Sequence, residues 1–237
     1  MQKLIHSKSA PIVFLYSYWM FENSYAISRL RKNNGRIKKG ISRAHSLDVY
    51  FEREKTNYLP LKISTLRNLD LLSFVSQNSY DYFIRQHKIE DTNLLKKLNI
   101  GRLGIHQNFF YQKSSSDKVF RLVSNSWIQP IKRLNLIVDS LAIIDELEVE
   151  WTHIGDDENS GHMNEIKKRV EEKLKNKTNI KINFKGKTKN EDVLEFYRTH
   201  FVSIFINVSS TEGIPVSIME ALSFGIPIIG TNVGGVP

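Results

Sequence analysis

Residues 202–230 constrain the fold more than any other stretch of the chain. An apolar, β-branched run at 202–208 leads into a loop, then a Gly-Ile-Pro turn, then a helical pattern, then a second apolar run at 226–230. Short continuous apolar runs of this kind are the mark of strands buried on both faces. Pro215 suits the first turn of a helix, where a missing N–H costs nothing. The helix expected over 216–224 stops at Gly225, a residue that readily takes the left-handed conformation closing a helix. Strand, helix and strand in that order form a βαβ unit, which commits its surroundings to a parallel sheet.

The rest of the chain repeats the alternation. Strands are expected at 11–16, at the end of 36–44, at 69–76 and at 98–105, with helices over 19–32, 59–68 and 77–87. After a polar break at 114–118 (SSSDK) come strands at 119–124, 149–155 and 180–184, and helices at 132–144, 163–175 and 190–200. That break divides the chain into two expected domains, 1–113 and 114–237. Both are α/β with parallel sheets.

Composition narrows the function classes. The chain has 237 residues and no cysteine, which removes disulfide frameworks and thiolate metal sites or nucleophiles. Its most apolar N-terminal run, 10–21, is too short to cross a bilayer. Residues 1–113 hold 19 Lys and Arg against 8 Asp and Glu, net +11, while 114–237 hold 15 against 17, net −2. A basic first half suits an anionic surface or substrate. No nucleic-acid motif accompanies the charge, so nucleic acid is not an expected partner. A basic surface without a specific partner is the competing reading.

Two glutamates stand out in residues 209–237. Glu212 precedes the expected helix and Glu220 lies inside it, eight residues on. The helix start offers free N–H groups and a positive dipole end to an anion. Gly213 lets a ligand approach the backbone closely. Carboxylates accept hydrogen bonds from vicinal diols such as ribose. An anion site flanked by two diol acceptors describes a nucleotide-sugar. A solvated pair on an ordinary βαβ unit is the alternative, since charged residues are mostly exposed.

The stretch resembles the donor-site signature of glycosyltransferase family 4, a retaining GT-B family. Glu212 and Glu220 meet its E-x7-E pattern, and G-x-P-x-S-x-x-E-A-x-x-x-G-x-P-x-I-x-T-x-x-G-G is met at every fixed position from Gly213 to Gly235. The resemblance implies a GT-B fold: two Rossmann-like domains with parallel sheets, here both incomplete. An opening strand and Gly-rich loop usual in the family are missing, and the chain ends at a Gly-Gly-Val-Pro after which the family continues. An internal fragment, or the product of a truncated or split gene, is therefore expected.

The resemblance also implies roles. Glu220 would hold the ribose diol. Glu212 and the backbone of Gly213, Ile214, Pro215 and Val216 would hold the donor sugar and diphosphate. Lys132 matches a family lysine that binds the donor diphosphate. The arginine common five residues earlier is Trp127 here, and Arg133 is the expected compensation. His45, in RAHSLD, matches a histidine placed over the donor sugar. On its own, a loop histidine is more often a surface residue. It is not expected to bind metal, because no second ligand stands at metal spacing. The acidic run Asp156, Asp157 and Glu158 also lacks ligand spacing and reads as a solvated loop. Core packing is the default for the aromatic cluster Tyr16, Tyr18, Trp19 and Phe21.

The implied activity is retaining transfer of a hexosyl group from a nucleoside-diphosphate sugar to a polysaccharide or lipid-linked sugar, with neither cofactor nor metal. A cytoplasmic location is expected, with peripheral contact to the anionic inner membrane face if the acceptor is lipid-linked. The alternative is a truncated, non-catalytic remnant that at most binds nucleotide or a partner protein.

Overall fold

A computed structural model of the chain describes residues 12–105, 110, 115–158 and 161–237. The chain divides into two compact units between Leu103 and Gly104, ahead of the polar break at 114–118.

The first unit carries a four-stranded sheet in the order β1-β2-β3-β4, from Ile12–Ser17, Ile37–Ala44, Leu71–Phe74 and Leu98–Ile100. All three pairings are parallel. Its helices are α1 (Glu22–Asn33), α2 (Ser46–Val49), α3 (Lys62–Asn68), α4 (Gln77–His87) and α5 (Thr92–Leu95). Ala44, Leu66, Leu72, Phe74 and Phe83 form its buried centre. The helix expected over 59–68 starts late, at Lys62, because Leu61 takes a left-handed conformation with φ 63°. α4 has the expected bounds: Ser76 caps it by accepting from the Ser79 N–H. The single turn α2 has no apolar period of its own and was not foreseen.

The second unit carries a five-stranded sheet in the order β7-β6-β5-β8-β9. The strands are β5 (Phe120–Asn125), β6 (Val149–Ile154), β7 (Ile180–Phe184), β8 (Ile204–Asn207) and β9 (Ile228–Gly230), all parallel. The helices are α6 (Leu134–Ala142), α7 (His162–Leu174), α8 (Asn190–Thr199) and α9 (Val216–Ser223). Side chains alternate across a strand, so the sheet feeds two cores. Val123, Phe205, Tyr197, Ile218 and Phe224 pack on one face. Leu122, Trp151, Ile137, Val138 and Leu174 pack on the other.

One boundary needs correction. The helix expected over 132–144 is two elements: a 3-10 turn at Pro130–Lys132, then α6 from Leu134. Arg133 separates them in the left-handed region, with φ 50°. Lys132 and Arg133 therefore precede α6 instead of opening it, and Arg133 is its N-cap. Among the described residues, no helix is long and apolar enough to cross a membrane.

Candidate functional site

β8 ends in Asn207, and the chain then leaves the sheet for the loop 208–215. That loop is fastened from three sides. The Asn207 side chain accepts the Ser209 N–H at 3.0 Å. Arg133 donates Nε to the Val208 carbonyl at 2.6 Å and Nη2 to the Ser209 carbonyl at 3.1 Å. The Ser210 N–H donates to the Ile131 carbonyl at 2.8 Å. The 3-10 turn and the loop after β8 are thus one rigid piece, and Arg133 is its brace.

Lys132 and Glu212 meet on that piece. Lys132 Nζ lies 2.6 Å from Glu212 Oε1, and Asn207 Nδ2 donates to the same oxygen at 3.2 Å. Glu212 is only 7% exposed. Burial pushes its carboxyl up, but the Lys132 ammonium and hydrogen bonds from Lys132, Ser209 and Asn207 outweigh burial and hold it below the usual carboxylate range. Glu212 is thus a structured anion, not a solvated one. The final turn approaches its backbone: a Cβ on Gly234 would stand 1.8 Å from the Glu212 carbonyl oxygen, and Gly234 has φ +57°.

Pro215 caps α9 from outside instead of filling its first turn. Glu220 sits within α9 and is 8% exposed. Asn190, the first residue of α8, donates Nδ2 to Glu220 Oε1 at 2.7 Å. Burial raises the Glu220 carboxyl above its usual range, against that hydrogen bond. Glu220 opens onto a cleft of about 390 Å³ that Gly104, Ile105, Asn190, Leu194 and Val216 also line. Size and mixed lining suit a small polar ligand. The structure brings Lys132 and Arg133 onto the loop that carries Glu212, while Val216 and Glu220 line the separate cleft beyond Gly213, Ile214 and Pro215.

His45 belongs to the first unit. It follows β2, and its ring stands 4.2 Å from Trp19 and 4.6 Å from Tyr18 by centroids. It is 7% exposed, both ring nitrogens are shielded from solvent, and it opens the turn α2 with a capping box in which the Asp48 side chain accepts the His45 N–H. Burial, then the nearby Arg43 charge, lower its pKa to about 4. The ring is therefore neutral at pH 7. The aromatic cluster is not core, contrary to its default reading: Tyr16, Tyr18 and Trp19 are exposed. They follow or end an edge strand, where one flank has no sheet partner among the described residues.

Sequence reasoning missed Asn190 and Asn207. Asn190 lies in the polar run 187–192, where nothing marks it out, and Asn207 is a lone amide at a strand end. The only signal was a polar residue ending the otherwise apolar β8.

Comparison with known proteins gives the family and the fold. The family model for glycosyl transferases group 1 matches residues 97–237. The chain belongs to that family. No curated protein matches it. Among solved structures it is similar to sucrose-phosphate synthase from Thermosynechococcus elongatus, at 19% identity and TM-score 0.74, covering 98% of this chain and 59% of that one. It is similar to Anabaena Alr3699/HepE in complex with UDP, at 18% identity and TM-score 0.71, covering 94% and 60%. It is also similar to the lipopolysaccharide outer core galactosyltransferase WaaB in apo form, at 18% identity and TM-score 0.64, covering 90% and 55%. The fold is GT-B, and the chain spans a little over half the length of these structures.

Proposed function

We propose that this chain binds a nucleoside-diphosphate sugar and transfers its hexosyl group, with retention, to a growing polysaccharide or lipid-linked sugar. The observation that carries the reading is the Lys132–Glu212 pair on a braced loop, which leads into the helix holding a second buried carboxylate, Glu220. Glu220 offers Oε2 to a ribose diol while Asn190 holds Oε1. Glu212 and the backbone of Gly213, Ile214, Pro215 and Val216 take the donor sugar and diphosphate. Lys132 stabilises negative charge as it grows on the leaving diphosphate, an effect that is usually the largest in such sites. Arg133 adds positive charge beside it while bracing the loop. His45, kept neutral by burial, is read as a contact to the sugar or leaving diphosphate on the family resemblance alone.

The complexes of Alr3699/HepE with UDP and with UDP-glucose support a nucleotide-sugar donor here. The reading needs no cofactor and no metal ion, because cations and N–H groups face the diphosphate. It places the protein in the cytoplasm, with its basic first half toward an anionic membrane when the acceptor is lipid-linked. The test is transfer of radiolabelled sugar from UDP- and GDP-sugars into a membrane extract. Incorporation that disappears with Lys132→Ala supports the reading. Nucleotide binding without incorporation would identify a non-catalytic remnant instead.

A further inference from the structure

Trp127 stands between β5 and α6, five residues before Lys132, and it is 44% exposed. A single exposed apolar ring is common on any protein surface. This one is held out by a fixed backbone. The Ser126 N–H donates to the Ile154 carbonyl at 3.0 Å, and the Ile128 N–H donates to the Asp156 carbonyl at 2.9 Å. Ile128 itself is buried in the core under β5 and β6. Trp127 is therefore pinned on both sides while its indole stays outside. A large ring with two side-chain torsions loses little entropy when a ligand covers it.

Two further loops converge on that ring. Lys187, just after β7, places Nζ 5.6 Å from the Trp127 ring centroid, a cation over an aromatic face. The same ammonium lies 3.7 Å from Glu158 Oε1, just after β6, and both side chains are largely exposed. The segments after β5, β6 and β7 thus meet at the carboxyl ends of three neighbouring parallel strands. Open α/β sheets take their ligands at that end. Lys187 also begins the loop that leads, three residues on, to Asn190, which holds Glu220. One short loop therefore serves both the indole and the carboxylate read as the ribose contact, and all of these residues belong to the second unit.

We propose that Trp127 is a nucleobase platform: the base of the donor nucleotide stacks on its indole, with Lys187 and Glu158 at the rim. The proposal rests on the reading of Glu220 as a ribose contact and extends it to the base. A base joined to that ribose meets an aromatic surface, a donor and an acceptor without any loop being rebuilt. Stacking tolerates any base, because every base has a π-face. Discrimination between bases then falls to Lys187 and Glu158, which face the base edge.

The test is titration of the 237-residue chain with UDP, GDP and ribose 5-diphosphate, which keeps the sugar and diphosphate but has no base. Trp127→Leu should weaken UDP and GDP about fivefold to a hundredfold, the range expected for loss of one stacked base. It should leave ribose 5-diphosphate unchanged, and Trp127→Phe should keep most of the nucleotide affinity. Tryptophan fluorescence of the unsubstituted chain should be quenched by UDP, and the quench should vanish in Trp127→Phe. In folded variants, unchanged UDP affinity in Trp127→Leu, or an equal loss for UDP and ribose 5-diphosphate, overturns the proposal. The functional reading survives that result if Glu220→Ala still weakens UDP. No binding of either nucleotide by the unsubstituted chain overturns the reading and the proposal together. If Trp127→Leu does not melt cooperatively, the fluorescence decides: no quench by UDP, or a quench that persists in Trp127→Phe, overturns the proposal.

Discussion

Lys132 Nζ stands 2.6 Å from Glu212 Oε1, although 80 residues separate them in sequence. The pair joins a 3-10 turn after β5 to a loop after β8. Each partner is mostly buried, with side-chain exposures of 19% and 9%. Breaking a buried pair from one side leaves an uncompensated charge, at a cost on the order of 3–5 kcal/mol. Lys132→Met is expected to lose stability on that scale in urea denaturation. Lys132→Met with Glu212→Leu should recover much of the loss. Additive effects of the two substitutions would show that the pair is not coupled.

The same glutamate is guarded from behind by Gly234. A methyl group there meets the Glu212 carbonyl oxygen at 1.8 Å, in a backbone conformation with φ +57°. Gly234→Ala should cost about 1–3 kcal/mol and displace the loop, weakening nucleotide binding in parallel. Gly35→Ala is the control, because a Cβ at Gly35 meets nothing within 4 Å. Thermal melts with and without UDP read both effects. Equal behaviour of the two variants would contradict the close approach.

Asn190 orients Glu220 by a charge-assisted hydrogen bond of 2.7 Å. Such bonds are worth about 1.5–3 kcal/mol. Asn190→Ala should therefore weaken UDP about tenfold or more while leaving the Lys132–Glu212 pair intact. Unchanged affinity would free Glu220 from this dependence.

Buried histidines set the acid limb of stability. His153 is fully buried with Nδ1 2.8 Å from Ser124 Oγ, and burial lowers its pKa to about 4, as burial and Arg43 do for His45. An unfolded histidine takes its proton near pH 6.5. The unfolded state thus binds more protons between about pH 6.5 and 4, and stability falls as pH drops through that window. Asp48 opposes this. Burial pushes its carboxyl up to about 6, so the folded state protonates first there and gains as pH falls. His153→Asn should flatten the net loss between pH 7 and 4.5 in thermal melts. A slope unchanged by the substitution would mean that His153 does not stay neutral.

The α/β alternation was legible because the alternating pattern at Ile180–Phe184 and the apolar run around Ile204–Asn207 both fit strands. α4 was legible to the residue because its start is capped by its own neighbour, Ser76. The turn around Lys132 was not, because a left-handed arginine leaves no mark in an apolar period, and its reason lies in the carbonyls of residues 208 and 209. The glutamates were legible through their spacing. Their partners Asn190 and Asn207 were not, since each contact is made by tertiary folding from another part of the sheet. The exposure of Tyr18 and Trp19 was misjudged because apolar character alone does not say which flank of an edge strand is covered.

The most direct measurement is calorimetric titration of UDP and UDP-glucose into the chain and into Glu220→Ala. The prediction is saturable binding by the native chain, weakened about tenfold or more by the substitution as a hydrogen-bonded carboxylate is lost. Binding of equal strength by both proteins, or none by the native chain, would contradict the assignment of Glu212–Glu220 as a nucleotide-sugar site.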